Sequence, residues 1–507
     1  MEKYLYTPNK DRQSYKFWMA YPACESFALS SLGYMWLYRL TDCYDGIDSE
    51  MVYTDSETIR IKPNEVQAIA FSLSFDFDFM GVFELLEKYK FPFYSKERNE
   101  NHPLIFAGGP VLTTNPEPYK KFFDFMILGD GEEIFKQVLD ILKENLTKKD
   151  TLDKLSKLDG IYIPNKTKTV KKITEKLETV IYTPVLSDKS YFKDTFIIEV
   201  SRGCMNRCAF CTASYINLPF RNYEYQKIID AIELGLKNTN KIALLGAQIS
   251  AHPEFNNIMK YLKDKMDSGI EIELGISSLR TDSVTPELVQ TLVKGGQKTS
   301  TIAIEAASER LRRFINKNLK EEQILNAVKI SRENGLKGLK IYSMIGIPNE
   351  TQEDIDEFLR LAKKIKSENK GFEITFSFST FVPKPQTPLQ WARREDTKSL
   401  EKKQKYLEKE FAKLGISSKF SSAKWDYWQT ILSRGDENLA ELLVYVYKNG
   451  GKNGAYKSGI KELKLDIDKP INGFELKETL PWDFIENYVP KHLLINEYNR
   501  LLKKFTE

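Results

Sequence analysis

Two stretches of the chain alternate short apolar runs with helical patterns, and a polar connector separates them. In the first stretch Lys16–Pro22 (KFWMAYP) is an apolar run closed by proline, and Phe27–Leu40 carries apolar residues at helical spacing. Ser49–Thr54 and Ala68–Phe75 predict strands, and Val82–Tyr89 a helix. Leu104–Ala107 and Phe125–Leu128 predict two further buried strands, which run into Gly108-Gly109-Pro110 and Gly129-Asp130-Gly131. A helix follows from Glu132 to about Glu144. Strands alternating with helices predict a parallel sheet with crossover helices, so residues 1–150 read as a doubly wound, Rossmann-like α/β domain. In such open sheets the glycine-rich turns after strands lie at the ligand-binding edge.

From Leu146 to about Lys176 the chain is rich in Lys, Thr and Asp. It predicts a connector, within residues 151–190, with a small strand pair around Gly160–Ile163. A second alternation occupies residues 191–390. Its strands are Phe196–Val200, Lys241–Leu245, Glu271–Ile276, Thr301–Glu305, Gly338–Ile345 and Glu373–Ser379. Helical patterns such as Tyr225–Lys237, Pro286–Lys294, Glu321–Glu333 and Thr351–Lys366 fall between them. Six strand–helix units predict a partial (β/α)6 barrel, whose functional residues belong at the C-terminal strand ends. From Trp391 to residue 507 the pattern turns mostly helical, with Lys402–Leu414, Asn438–Tyr447 and a closing amphipathic helix. Trp425, Trp428 and Trp482 read there as core anchors or lid residues.

Composition narrows the class. Hydrophobic residues make up 41% of the 507, enough for ordinary cores, and charged residues 29%. A formal charge of +4 neither argues for nucleic acid nor excludes a local basic groove. The N-terminal residues show no apolar signal region, and no run approaches the ~18 apolar residues of a membrane span. The expectation is a cytoplasmic protein with no membrane partner. The five cysteines are odd in number and three cluster, which in a reducing compartment points to metal rather than disulfides.

That cluster, Cys204-x3-Cys208-x2-Cys211 with Phe210 before the last cysteine, follows the first barrel strand. Thiolates suit iron–sulfur clusters, and a closed [4Fe–4S] cluster needs four cysteines. Only three are local, so one iron is left with an open position, as a catalytic centre requires. The alternatives are a zinc site completed by His102, His252 or His492, and three unrelated cysteines.

The spacing, with Phe210 and the placement after a first barrel strand, resembles the motif of the radical S-adenosylmethionine (SAM) superfamily. The resemblance implies a [4Fe–4S] cluster on Cys204, Cys208 and Cys211 whose open iron chelates SAM, reductive SAM cleavage, and an electron donor such as flavodoxin or ferredoxin. Gly246, ending the second strand, fits the family's GGE-like SAM-amino site, although no Glu follows it. Ser277-Ser278-Leu279-Arg280 ends the third strand. Glu305, in a stretch similar to the family's ESGSERL, and Lys317 resemble the polar pair at the SAM ribose and carboxylate; Met344–Thr351 is similar to the stretch near the adenine. Phe210, Ser278 and Arg280 join them as expected SAM-site residues.

The first domain resembles the cobalamin-binding-type domain that precedes the barrel in one branch of the superfamily. Gly108-Gly109-Pro110 through Glu117, and Asp124 through Gly129-Asp130-Gly131-Glu132, are similar to that branch's two glycine stretches. Gly108, Gly109, Gly129 and Gly131 are thereby expected at the cofactor. The branch's D-x-H-x-x-G is missing; the region reads Pro22-Ala23-Cys24 through Gly33 with no histidine. Cobalamin would then bind without a histidine ligand, or the domain would have lost it. The tail around Pro383–Trp391 and Leu480–Asp483 is similar to one subgroup. Three functions follow: cobalamin-dependent methylation of an unactivated carbon in an unknown substrate; a non-methylating radical SAM modification of RNA or a ribosomal component on a scaffold domain; or an iron–sulfur sensor.

Overall fold

The computed structural model describes residues 2–8, 14–277 and 279–504. The first sheet has six strands: β1 (Tyr15–Tyr21), β2 (Ile47–Tyr53), β3 (Ala68–Ser72), β4 (Leu104–Gly108), β5 (Phe125–Ile127) and β6 (Ile161–Tyr162). Their order is β2-β1-β3-β4-β5-β6, parallel throughout except for the antiparallel β5–β6 pair. Winding therefore reverses at β1, beside β3, which is the switch point where open sheets bind ligands.

Both faces of this sheet are buried, which explains its continuous apolar runs. Phe17, Met19 and Tyr21 pack on one face, against helices α1 (Leu32–Asp42) and α3 (Glu132–Leu142); the latter follows α2 (Phe79–Lys88) in the chain. Trp18 and Ala20 point to the other face, where they share a core with α2 and with Trp428, Ile431 and Leu443 from the C-terminal helices. The C-terminal segment thus joins the core on that face of the first sheet. Trp428 and Trp482 are core anchors at 3% and 2% exposure, whereas Trp425 stays 40% exposed on an edge contact with Phe77.

The second stretch forms β7 (Phe196–Glu199), β8 (Lys241–Leu245), β9 (Glu273–Ile276), β10 (Thr299–Glu305), β11 (Gly338–Ile345), β12 (Glu373–Thr380) and β13 (Ser417–Phe420). They make two parallel sheets, β7-β8-β9 and β10-β11-β12-β13, linked by a parallel bridge between Leu279 and Ile302. Alternate residues such as Ile302, Ile304, Ile341 and Phe376 face the surrounding helices in one large core. The architecture is an incomplete parallel barrel.

Several expectations need correction. The predicted helix Phe27–Leu40 is two helices, Glu25–Ala28 and α1, because Ser31 is extended at the N-cap and the Ser30 hydroxyl donates back to the Ser26 carbonyl. The connector holds a helix, Lys148–Leu155, capped by Thr147, whose side chain accepts from the Asp150 amide. The strand near Gly160–Ile163 pairs with β5 rather than with a connector neighbour, and Val170–Lys171 pairs with Ile485–Glu486. The mainly helical tail also contributes β13, a seventh barrel strand. Among the described residues no helix is long and apolar enough to cross a membrane.

Candidate active site at the barrel mouth

The loop carrying the three cysteines leaves β7 through a narrow neck. Ser201 and Arg202 pair antiparallel with Asn222 and Arg221. Gly203 has φ +87°, and a Cβ there would lie 2.5 Å from the Asn217 carbonyl oxygen, so only glycine lets the loop cross itself. Two guanidinium groups, one from each side of the neck, converge on Asp130: Arg202 at 3.0 Å and Arg221 at 2.5 Å. Arg202 also pairs with Glu132 at 2.6 Å and Glu199 at 2.8 Å, and the Tyr223 hydroxyl donates to Glu199 at 2.9 Å. Burial would raise the Asp130 carboxyl, but the two arginines hold it below the usual carboxylate range. The first sheet thereby clamps the base of the cysteine loop.

The loop's far side is pinned by backbone contacts. The Ala209 amide donates to the Ile315 carbonyl at 2.9 Å, and the Leu389 amide donates to the Ala209 carbonyl at 3.3 Å. Phe210 packs with Ala306, Phe314 and Leu501. Cys204 and Cys208 are buried and Cys211 partly so. Burial pushes the Cys208 thiol up to about 12; Lys317 pulls it down, while negative charge at Cys211, Glu305 and Cys204 adds to the rise. The three sulfurs are therefore electrostatic neighbours. Among the described residues no three Cys, His, Asp or Glu side chains close on the position of one metal ion. A four-iron cluster takes its thiolates at separate corners.

Three strand ends surround the thiols. Beyond β8, a Cβ on Gly246 would lie 2.8 Å from the Ser201 hydroxyl, so glycine admits the neck. Gln248 follows; its Oε1 accepts from Asn206 Nδ2 at 2.5 Å and lies 3.4 Å from Cys204 Sγ. Beyond β9, Arg280 pairs with Asp282 at 2.7 Å and donates to the Lys317 carbonyl at 3.3 Å. At the end of β10, Glu305 sits on a bulge at φ +66°. Such a conformation is strained for a side-chain-bearing residue and re-aims it. Its carboxylate meets Lys317 Nζ at 3.0 Å, with side-chain exposures of 15% and 10%. Burial lowers the Lys317 ammonium, but Glu305 and Cys208 outweigh it and leave it raised. Ser278 lies outside the described residues.

The four glycines of the first sheet separate into two pairs. A Cβ on Gly109 (φ +117°) would lie 2.2 Å from the Leu73 carbonyl oxygen, and one on Gly129 (φ +110°) 2.2 Å from that of Ile173. Both are demanded by crossing backbone. On Gly108 and Gly131 a Cβ would meet nothing closer than 3.5 Å and 3.7 Å. All four line a cavity of about 360 Å³ at the switch point, together with Arg202 and Asn217 of the cysteine loop. None of the described residues lining it is a histidine.

The proposed zinc completion fares differently. His252 Nε2 lies 2.9 Å from the Tyr223 carbonyl oxygen and its Nδ1 accepts from the Glu254 amide at 3.0 Å, so both ring nitrogens are engaged. His102 contacts Asn99 beside the first sheet, and His492 lies in the C-terminal helix Lys491–Lys503. Sequence reasoning missed Gly203, Gln248 and the Asp130–Arg202–Arg221 clamp. Gln248 had a signal, standing two residues past Gly246; the clamp had none within a single stretch of chain.

A parallel half-barrel with a three-cysteine loop after its first strand defines a class of metal-dependent, SAM-using enzymes. Residues 198–362 match the family described as the radical SAM superfamily, and residues 44–164 match that of radical SAM proteins, N-terminal. The chain is 33% identical over 429 residues to an uncharacterized protein of Methanocaldococcus jannaschii, covering 82% of this chain and 87% of that one. It is 26% identical over 346 residues to an uncharacterized methyltransferase of Pyrococcus horikoshii, covering 65% and 71%. The solved cobalamin-dependent S-adenosylmethionine radical enzyme OxsB with aqua-cobalamin bound shares the fold at TM-score 0.56 and 12% identity, over 97% of this chain and 80% of that one. The chain belongs to the radical SAM superfamily and is an enzyme of that class.

Proposed function

We propose that Cys204, Cys208 and Cys211 hold a [4Fe–4S] cluster, and that Phe210, Gly246, Arg280, Glu305 and Lys317 form the SAM site. We further propose that the cavity at Gly108, Gly109, Gly129 and Gly131 takes cobalamin, for methylation of an unactivated carbon. The observation that carries this is the meeting of the three thiols with the Glu305–Lys317 pair at the barrel mouth. The donor set fits the cluster, because three soft ligands on one pinned loop leave a fourth position for substrate. When bound, the cluster supplies the electron that cleaves SAM to methionine and a 5′-deoxyadenosyl radical. Glu305, aimed by its bulge, can accept from ribose hydroxyls, while Lys317 and Arg280 can pair with a carboxylate. The Asp130 clamp ties the cysteine loop to the lining of the cavity, so the two proposed sites adjoin. The fold of OxsB and the name of the Pyrococcus relative support the methyltransferase part.

A second reading has its own observation. Gly109 and Gly129 are accounted for by packing alone, and none of the described residues lining the cavity is a histidine. A first sheet that serves as scaffold for a non-methylating enzyme would look the same. The deciding experiment is anaerobic reconstitution with iron, sulfide and hydroxocobalamin, followed by SAM and dithionite. Iron at about four per chain, retained cobalt and formation of 5′-deoxyadenosine support the methyltransferase. Iron and deoxyadenosine without cobalt select the scaffold reading, and zinc in place of iron defeats both.

A further inference from the structure

The inner wall of the barrel carries an unexpected pair of side chains. Residues of β11 alternate, with Leu339, Ile341 and Ile345 buried toward the helices. Lys340 and Tyr342 therefore point the other way, into the lumen. Tyr342 is 40% exposed although its strand is flanked on both sides. The Lys340 ammonium lies 4.7 Å over the Tyr342 ring and 3.4 Å from its hydroxyl. Register places these side chains in two rows, Thr301–Lys340–Thr375–Ser417 and Ala303–Tyr342–Ser377–Lys419. Neither of these two rows contains an acid; the acid on the same face, Glu373, lies one row nearer the start of the strands, opposite Gly338. The other half-barrel contributes Ile197, Ala243 and Gly275 in one row. Apart from Ile197, the other members of these rows are Ala, Gly, Ser and Thr around two lysines and a tyrosine.

A structural role does not account for this arrangement. A wall built only to close the barrel would bury apolar side chains in layers. A lysine in a concave, partly enclosed wall costs solvation unless an anion or water compensates. The phenol beside it adds a hydrogen-bond donor directed into the same space.

We infer that the lumen of this barrel binds the anionic end of the substrate, a carboxylate or a phosphate, on Lys340 and Tyr342, with Lys419 adding charge from the neighbouring strand. The inference rests on the proposed function for its direction only. Tyr342 pairs with Ala303, two residues before Glu305, so the anion site lies roughly 7 Å below the Glu305 level at the rise of a strand. That span suits a small acid whose reacting carbon reaches the barrel mouth.

The test uses the reconstituted protein, with iron content measured first. Acylation of Lys340 is followed by mass spectrometry with inorganic phosphate, glutarate, glycerol, or sodium chloride at matched ionic strength. Calorimetry then compares phosphate and glutarate binding to wild type, Lys340→Gln and, as a control on the outer helix Gln352–Glu368, Lys363→Gln. Protection of Lys340 by phosphate or glutarate, and at least tenfold weaker binding by Lys340→Gln alone, is expected. The better of the two anions tells phosphate from carboxylate. Equal protection by sodium chloride, no protection by either anion, or unchanged binding by Lys340→Gln would overturn the inference. Should Lys340→Gln fail to fold, the wild-type protection pattern still decides. Absence of iron would count against the proposed function without touching the lysine result.

Discussion

The glycine turns of the first sheet and the polar strand ends of the barrel were both expected to touch cofactors, yet they differ in what the fold already explains. Gly109 and Gly129 have positive φ and backbone within 2.2 Å of a would-be Cβ, so packing alone accounts for them. Glu305 is the reverse case. It holds a positive φ without being glycine, and it places a carboxylate in a half-buried ion pair beside a thiol. The bulge that imposes this φ aims the carboxylate at Lys317, so the residue's chemistry gives the strain an account. A motif residue is informative about function in proportion to what the fold leaves unexplained.

The largest expected effect is at the barrel mouth. Cys208→Ala should lose the cluster, because two thiols on the loop cannot hold four irons. Iron per chain after anaerobic reconstitution should fall to background and deoxyadenosine formation with it, while the far-ultraviolet circular dichroism stays native. Retention of near-stoichiometric iron would remove Cys208 from the ligand set and break the comparison at its stronger end.

At the sheet edge the expected loss is in folding instead. Gly129→Ala forces a Cβ against the Ile173 carbonyl oxygen at a φ that L-residues rarely adopt. The cost should be about 3 kcal/mol, from overpacking and strain together, read as a shifted urea midpoint at constant slope. A variant as stable as wild type would mean that the crossing is looser than drawn, and would return Gly129 to the list of purely functional glycines.

Glu305→Gln keeps size and shape while removing the charge opposite Lys317. Deoxyadenosine formation should fall about tenfold, equal to about 1.4 kcal/mol of transition-state stabilisation. Iron content should be unchanged, since Glu305 is not on the cysteine loop. If activity is unaltered and only stability falls, the strained carboxylate is a structural counter-ion, and the contrast with the glycines collapses.

How far these features were legible in the sequence follows the same line. The strand–helix alternation and the three cysteines are local patterns, and the parallel sheet, the half-barrel and the family follow from them. The share of the C-terminal helices in the first sheet's core was hidden, because Ile431 and Leu443 lie more than four hundred residues from Trp18 and Ala20 and carry only a generic helical period. β13 was hidden in a four-residue run, SSKF, with a single apolar side chain. The clamp was hidden because Asp130, between two glycines, reads as a turn residue. Its partners Arg202 and Arg221 are distant in sequence and meet it only through the fold. The bulge at Glu305 leaves no trace in the alternation Thr301-Ile302-Ala303-Ile304-Glu305.

The smallest effect separates the two readings of the first sheet. Gly131 begins α3 at φ −107°, a conformation open to alanine, and a Cβ would meet Leu37 only at 3.7 Å. Alanine restricts the unfolded chain and is a poorer N-cap, effects of opposite sign, so Gly131→Ala should change stability by no more than about 0.5 kcal/mol. The added methyl would lie 3.7 Å from Leu37, which lines the same cavity as Arg202. If cobalamin occupies that cavity, Gly131→Ala should retain less cobalt at unchanged iron, and its apparent hydroxocobalamin affinity should drop a few-fold. Equal cobalt retention in both proteins would place the corrinoid elsewhere, while cobalt in neither would leave the glycine as part of a scaffold. Set beside Gly129→Ala, the pair distinguishes a turn that the backbone needs from a turn that a ligand needs, at positions two residues apart.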